Sequence, residues 1–165
     1  MSDRVRVTHR AGENREHWGS EASRRRRAAW YYFRIFLIGA IIYPLGELCW
    51  RGRTHWSMAI LGGACLCAIA FVSERTSGIL DLFSRALICC VIISEAEFIS
   101  GVILNLIAGL EIWNYSEKPF NLLGQICAEY SLLWLSLSLP TIAIFDACRA
   151  RSGNRGEGGF NEKQR

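Results

Sequence analysis

Glu47, Glu95, Glu97 and Glu129 lie in stretches that otherwise read as lipid-soluble helix. An acid at membrane depth costs about 2.5–3.5 kcal/mol on insertion scales. A leucine-rich helix, gaining roughly 0.5 kcal/mol per leucine, carries one such load comfortably. Four acids in so short a chain are expected to turn toward each other, or toward something that passes between them. The chemistry open to them is proton carriage or cation binding in a polar interior.

Spacing sorts these acids. Residues four apart share a helix face. Glu47, Arg51 and His55 are spaced by four, as are Glu97, Gly101, Asn105 and Gly109, and again Asn121, Gln125 and Glu129. Each of three helices is therefore expected to carry one narrow polar stripe holding one acid. Glu95 lies about 200° around the helix from Glu97 and falls off that stripe. At 1.5 Å per residue the stripes fill the outer half of the membrane and deepen toward Glu97, roughly 20 Å down. The expectation is a polar funnel with Glu97 near its floor. Its wall is assigned to Glu97, Asn105, Asn121, Gln125, Glu129, Glu47, Arg51 and His55. Within that set, Arg51 is placed to neutralise Glu47 by the four-residue spacing. The competing assignment is helix–helix adhesion, but interhelical hydrogen bonds average only about 0.6 kcal/mol, a poor return for an acid.

Trp113, Asn114, Tyr115 and Ser116 open the most individual segment of the chain, and they are assigned to an interfacial lid. Asn114 favours an Asx turn, and Pro119 restricts the chain beyond it.

The elements that position these groups are membrane helices. The chain is 51% apolar, with the apolar residues clustered between Trp30 and Ala147. The runs approach the roughly 20 residues that cross a bilayer. Four spans are predicted, at about residues 32–50, 56–72, 86–110 and 121–145. Short joins favour antiparallel neighbours, so the fold class is an all-α membrane protein, a four-helix up-down bundle. Its membrane domain covers residues 30–148. An Arg-rich arm (1–29) and a glycine-rich, charged tail (149–165) are expected to be disordered. The amino-terminal stretch has no secretory cleavage pattern, so the first span is expected to act as its own insertion signal. In the second span, Ala59, Gly63 and Cys67 make a small-residue row suited to close helix approach, which marks it as structural.

Nine arginines precede or open the first span, and five basic residues follow the fourth. The positive-inside rule then puts both termini in the cytoplasm of a multi-pass cell-membrane protein. The run Arg24 to Arg27 reads as an anchor on anionic lipid, at about 1 kcal/mol per charge, rather than a nucleic-acid patch. Six of the seven cysteines lie in or beside apolar stretches, where a thiol acts as a small hydrophobe. Cys65 and Cys67 point apart on a helix. No metal or other cofactor is expected.

The stretches IYPLGELCWRGRTHWSMAILGG, AEFISGVILNLIAGLEIWNYSEKPFNLLGQIC and SLLWLSLSLP resemble a bacterial family of small membrane proteins, the putative ABC-transporter type IV or CmpB-like family. The resemblance rests on Glu97, Phe98, Gly101, Asn105, Trp113 to Ser116, Phe120, Asn121, Gly124 and Gln125. It also rests on Glu47, Trp50, Arg51, Gly52 and Thr54 to Met58. Asn114 stands where the family usually has aspartate, and Glu95 and Glu129 are additions to the pattern. The resemblance implies transport. The chain has no phosphate loop of the G-x-x-x-x-G-K-[ST] type, so an ATPase would be a separate polypeptide. Four spans are few for a permease half, which implies a homo-oligomer. Three functions compete: a permease-like subunit, a non-transporting scaffold or regulator, and a membrane enzyme using Glu97 and His55. The last is set aside, because no nucleophile or metal cluster accompanies those two residues.

Overall fold

The computed structural model describes residues 21–152 in full, and residues 2–20 and 153–162 by their helical backbone alone. The described residues form four α-helices: α1 (Ser2–Arg51), α2 (Trp56–Thr76), α3 (Leu82–Gly101) and α4 (Ala128–Glu162). Each contains a stretch long and apolar enough to cross a bilayer. The protein is an all-α membrane protein with four spanning helices. Of the arm expected to be disordered over 1–29 and the tail over 149–165, most lies outside the fully described residues. The parts inside, 21–29 and 149–152, are helical.

Two compact units divide the chain, Met1–Ile35 and Phe36–Arg165. In the first, Trp30 meets Phe33 edge-on at 5.6 Å and Tyr31 meets Tyr32 edge-on at 5.3 Å. The second holds the rest of α1, helices α2 to α4 and the segment joining α3 to α4.

Outward faces are apolar, as a hydrocarbon solvent demands. Ile41, Ile42, Ile60, Phe71, Val91, Leu132 and Ile144 are all exposed. The inward faces meet in a core of Met58, Leu61, Cys65, Ile69 and Val72 from α2, Ala86, Cys89 and Ile93 from α3, and Ile142 from α4. The second span is by far the most enclosed of the four, in keeping with a structural role. Its close approach to α1 is made by Gly62 and Gly63. A Cβ on Gly62 would lie 2.2 Å from Tyr43 Cβ and 2.8 Å from the Gly39 carbonyl oxygen. Gly63 would meet the Phe36 ring at 2.7 Å. No hydrophobic force drives helices together in lipid, so such backbone proximity is how they gain dispersion contact.

The third span departs from simple helix at its end. Val102–Ile107 widens into a π-helical segment, and Gly109 at φ +65° closes it. The fourth helix begins at Ala128, not near residue 121 as expected. Residues 121–127 instead form a small antiparallel hairpin, β1 (Asn121–Leu122) and β2 (Ile126–Cys127), in which Asn121 pairs with Cys127 and Leu122 with Ile126. Its turn holds Leu123 at φ +52° and Gly124 at φ +68°. Two successive positive φ values give the backbone twist that returns a strand on itself. Helix cannot propagate through that geometry, which is why the expected boundary fails.

Candidate functional site

Glu97 is the buried acid of the third span. It is 2% exposed and lies about 15 Å from the Ile107 end of its span. Trp134 of α4 donates its Nε1–H to Glu97 Oε2 at 2.7 Å. Tyr43 of α1 stacks on Trp134, with ring centroids 5.6 Å apart and planes 15° off parallel. Arg51 of α1, Tyr115 of the connecting segment and Cys65 of α2 lie within Coulomb reach of the same carboxylate. All four helices and the connecting segment thus contribute a group to one buried polar centre. Glu95, two residues away, is exposed on the other side of α3, as the 200° separation requires.

Above Glu97 the stripe continues through Gly101 and Asn105, but the expected open funnel is filled. A Cβ on Gly101 would lie 2.5 Å from Gln125 Oε1 and 3.1 Å from the Trp113 ring. Asn105 Nδ2 donates to the Trp113 carbonyl at 3.0 Å and to Gln125 Oε1 at 2.8 Å, while Asn105 Oδ1 accepts from the Ile112 amide at 2.8 Å. Trp113 Nε1 donates to the Gln125 carbonyl at 2.9 Å. Buried backbone outside regular helix must have its polar groups satisfied, and these amides do that.

The lid assigned from the sequence is a compact knot. Asn114 Oδ1 accepts from the amide and the hydroxyl of Ser116, an Asx turn. Asn121 Nδ2 donates to the carbonyls of Ser116 and Lys118, and Asn121 Oδ1 accepts from the Gly124 amide. Tyr115 stacks on Tyr130 at 4.5 Å, and its amide donates to the Gly124 carbonyl at 2.7 Å. Burial holds the Tyr115 phenol above its usual range, and the Glu97 charge pushes the same way. Three non-glycine residues of this segment take positive φ: Glu111, Phe120 and Leu123.

Two expected stripes are corrected. Asn121, Gln125 and Glu129 do not share a helix face, because only Glu129 is in α4. The hairpin carries Gln125 inward to Asn105 and leaves Glu129 exposed, paired with Lys118 at 2.8 Å. Hydrogen bonding to Glu129 holds the Lys118 ammonium above its usual range. His55 does not extend the Glu47–Arg51 face either. The first helix ends at Arg51, with Gly52 at φ +67°, and His55 is the N-cap of α2. Its Nδ1 accepts from the Ser57 amide at 3.3 Å. Glu47 is held by Arg51 and by the Thr54 hydroxyl, the latter at 2.7 Å. The pair closes the end of α1.

Three features escaped sequence reasoning. Tyr43 and Trp134 sit deep in their spans, and their signal was that depth, since aromatic residues of this kind concentrate at the interfaces. At the opposite end of the bundle Arg85, 4% exposed, bridges three elements. It makes two bonds to the Asp146 carboxylate, at 2.7 and 2.8 Å, and two from Nη2 to Ser73 at 3.1 Å. Arg149 adds bonds to the same serine at 2.9 and 3.2 Å.

The chain belongs to the family described as putative ABC-transporter type IV, which matches residues 57–152. Glu97, Gly101, Asn105, the Trp113–Ser116 turn and Trp134 all fall inside that stretch. No curated protein and no solved structure matches the chain.

Proposed function

We propose, from that membership, that this chain is a permease-like membrane subunit of an ABC transport system, with Glu97 at the centre of a path for a small solute or ion. The observation that carries the reading is the company Glu97 keeps. A buried carboxylate bonded by Trp134, with the Tyr43 ring stacked on that indole, is an expensive arrangement for adhesion alone. Passage past Glu97 requires Gln125 and Trp113 to leave the face of Gly101. The path is therefore closed by the 108–127 segment, and transport involves its displacement. The strained positions Glu111, Phe120 and Leu123 support a segment with more than one arrangement.

Energy comes from a separate ATPase subunit, and the path is completed by further copies of the chain. The protein sits in the cell membrane with both termini cytoplasmic. Its Arg-rich arm lies on anionic lipid and its tail is free of the bilayer. The site is a binding and conduction site rather than a catalytic one. One observation favours the second reading, a non-transporting scaffold: Asn105, Asn114, Asn121 and Gln125 all spend their amides on the connecting segment itself.

Glu97→Gln decides between them, since it removes the charge and keeps the shape. The protein is reconstituted in vesicles with its co-purifying ATPase and assayed for proton and alkali-cation flux. A permease-like subunit loses flux in the variant while its helix content and elution stay normal. Wild-type protein that holds its ATPase but passes nothing above protein-free vesicles sinks the transport reading and leaves the scaffold.

A further inference from the structure

The polar centre makes no use of Glu95. This residue lies about half way along the Leu82–Ile107 span and is exposed on its outer side. Among the described residues, no hydrogen bond or ion pair reaches its carboxylate. It opens instead onto a groove of about 520 Å³ between α3, α4 and the hairpin, walled by Val91, Phe98, Ile99, Leu122 and Ile126. The remaining polar groups of the groove are already engaged. The thiol of Cys90 donates to the Ser131 carbonyl at 3.1 Å, and the hydroxyls of Ser94 and Ser131 meet at 3.1 Å. The groove therefore offers an occupant apolar walls and one free carboxylate. Along α3 it runs from Cys90 to Ile99, roughly 14 Å, or two and a half turns of a facing helix.

Complementarity selects the occupant. An acyl chain would suit the walls and leave the acid without a partner in hydrocarbon, which is the costly state. A second copy would need to bring a cation to mid-membrane depth, and this chain has none to bring. The sequence contains no lysine or arginine between Arg34 and Arg51, between Arg53 and Arg75, between Arg85 and Lys118, or between Lys118 and Arg149. Arg85 itself is buried and engaged with Asp146. We propose that the groove seats one transmembrane helix of a different polypeptide, carrying a single lysine or arginine near mid-bilayer that pairs with Glu95. The inference rests on the geometry of α3 and stands whether or not Glu97 conducts.

The probe is a synthetic leucine–alanine helix of about 23 residues with one central lysine. It is labelled at one end and mixed with the labelled full-length protein in phosphatidylcholine vesicles, and association is read by energy transfer. The lysine peptide is expected to bind at least about tenfold tighter than the same peptide with leucine at that position. Glu95→Gln abolishes the preference, whereas Glu129→Gln, at an exposed acid outside the groove, preserves it. Val91→Trp, which fills the groove and keeps Glu95, weakens the lysine peptide to the level of the control. It keeps the test decisive should the Glu95 variant fold poorly. Equal binding of the two peptides would overturn the proposal, as would a lysine preference that survives Glu95→Gln. Glu95-dependent energy transfer between two copies of the chain, in the absence of peptide, would overturn it in favour of a self-interface.

Discussion

Asn105 and Gln125, twenty positions apart, share a hydrogen bond of 2.8 Å between side-chain amides that are both buried. The bond ties the π-helical end of the third span to the hairpin that precedes the fourth. Asn105 also holds the Trp113 carbonyl and the Ile112 amide, so one side chain makes three of the bonds that keep the connecting segment folded inward. Asn105→Leu is therefore expected to destabilise the protein by about 1–2 kcal/mol, at the top of the range for polar contacts within membrane proteins. Thermal unfolding in detergent measures the loss, and proteolysis within residues 108–127 should accelerate in parallel. Gln125→Leu should cost a similar amount, and the double variant less than the sum, because the two act as one unit. Additive losses would show that the bond does not couple the two elements.

The part of this arrangement legible in the sequence was helical phase. The separation of Glu95 from Glu97 and the alignment of Glu97 with Gly101 and Asn105 follow from 3.6 residues per turn, and both hold. The four apolar runs follow from bilayer thickness in the same way. What could not be read was where the helices stop. Asn121, Gln125 and Glu129 keep the spacing of a helix face although two of them belong to a hairpin, because a spacing of four carries no information about φ. Leu123 and Phe120 take positive φ, which their residue types do not announce. Gly52 is a stop signal before His55, being the residue type favoured just past a helix end, and a helix face does not continue across it. The Arg85–Asp146 contact joins positions 61 apart in sequence, and no local pattern reports such a meeting.

Two glycines, one on each helix, make a matched test of the α1–α2 crossing. Gly62 has no room for a Cβ, because Tyr43 Cβ and the Gly39 carbonyl already occupy the space. Gly46 has nothing within 4 Å of the same position. Gly62→Ala should force the two helices apart and cost on the order of 1–3 kcal/mol, as overpacking does. Gly46→Ala should be neutral or slightly stabilising, since it replaces a flexible helix residue in open space. Thermal unfolding of both variants checks this. Equal behaviour would mean the crossing is not held by backbone proximity.

The Lys118–Glu129 pair is exposed on both sides and should contribute little. The carboxylate holds the ammonium above the usual lysine range. Whatever stability this shift supplies is fully present below the ordinary lysine value of 10.5 and fades as pH rises through the raised folded value. The pair is therefore expected to leave stability flat between about pH 6 and 9. Glu129→Gln should match the parent in melting temperature across that window at ordinary salt. A drop near neutral pH would assign Glu129 a buried partner it does not have here.

Arg85 makes the opposite case. Its side chain is 5% exposed and bridges Asp146 of α4 and Ser73 of α2, with Arg149 sharing both partners. Removing one side of a buried ion pair strands the other charge, which costs far more than the pair itself is worth. Asp146→Ala leaves the enclosed Arg85 beside the Arg149 guanidinium with no carboxylate between them. The Asp146 side chain is about a third exposed, so water reaches one face of the pair and the penalty shrinks. A loss of roughly 2–3 kcal/mol is expected, against 3–5 for a fully enclosed pair. Arg85→Met with Asp146→Leu, which removes the buried charge together with its carboxylate and keeps volume, should recover most of that loss, because the guanidinium left behind, Arg149, is more than a third exposed to solvent. Unfolding of the single and double variants in the same detergent decides the matter. If the double variant is as unstable as Asp146→Ala, the clasp holds the helix ends by its hydrogen bonds to Ser73 and not by charge pairing.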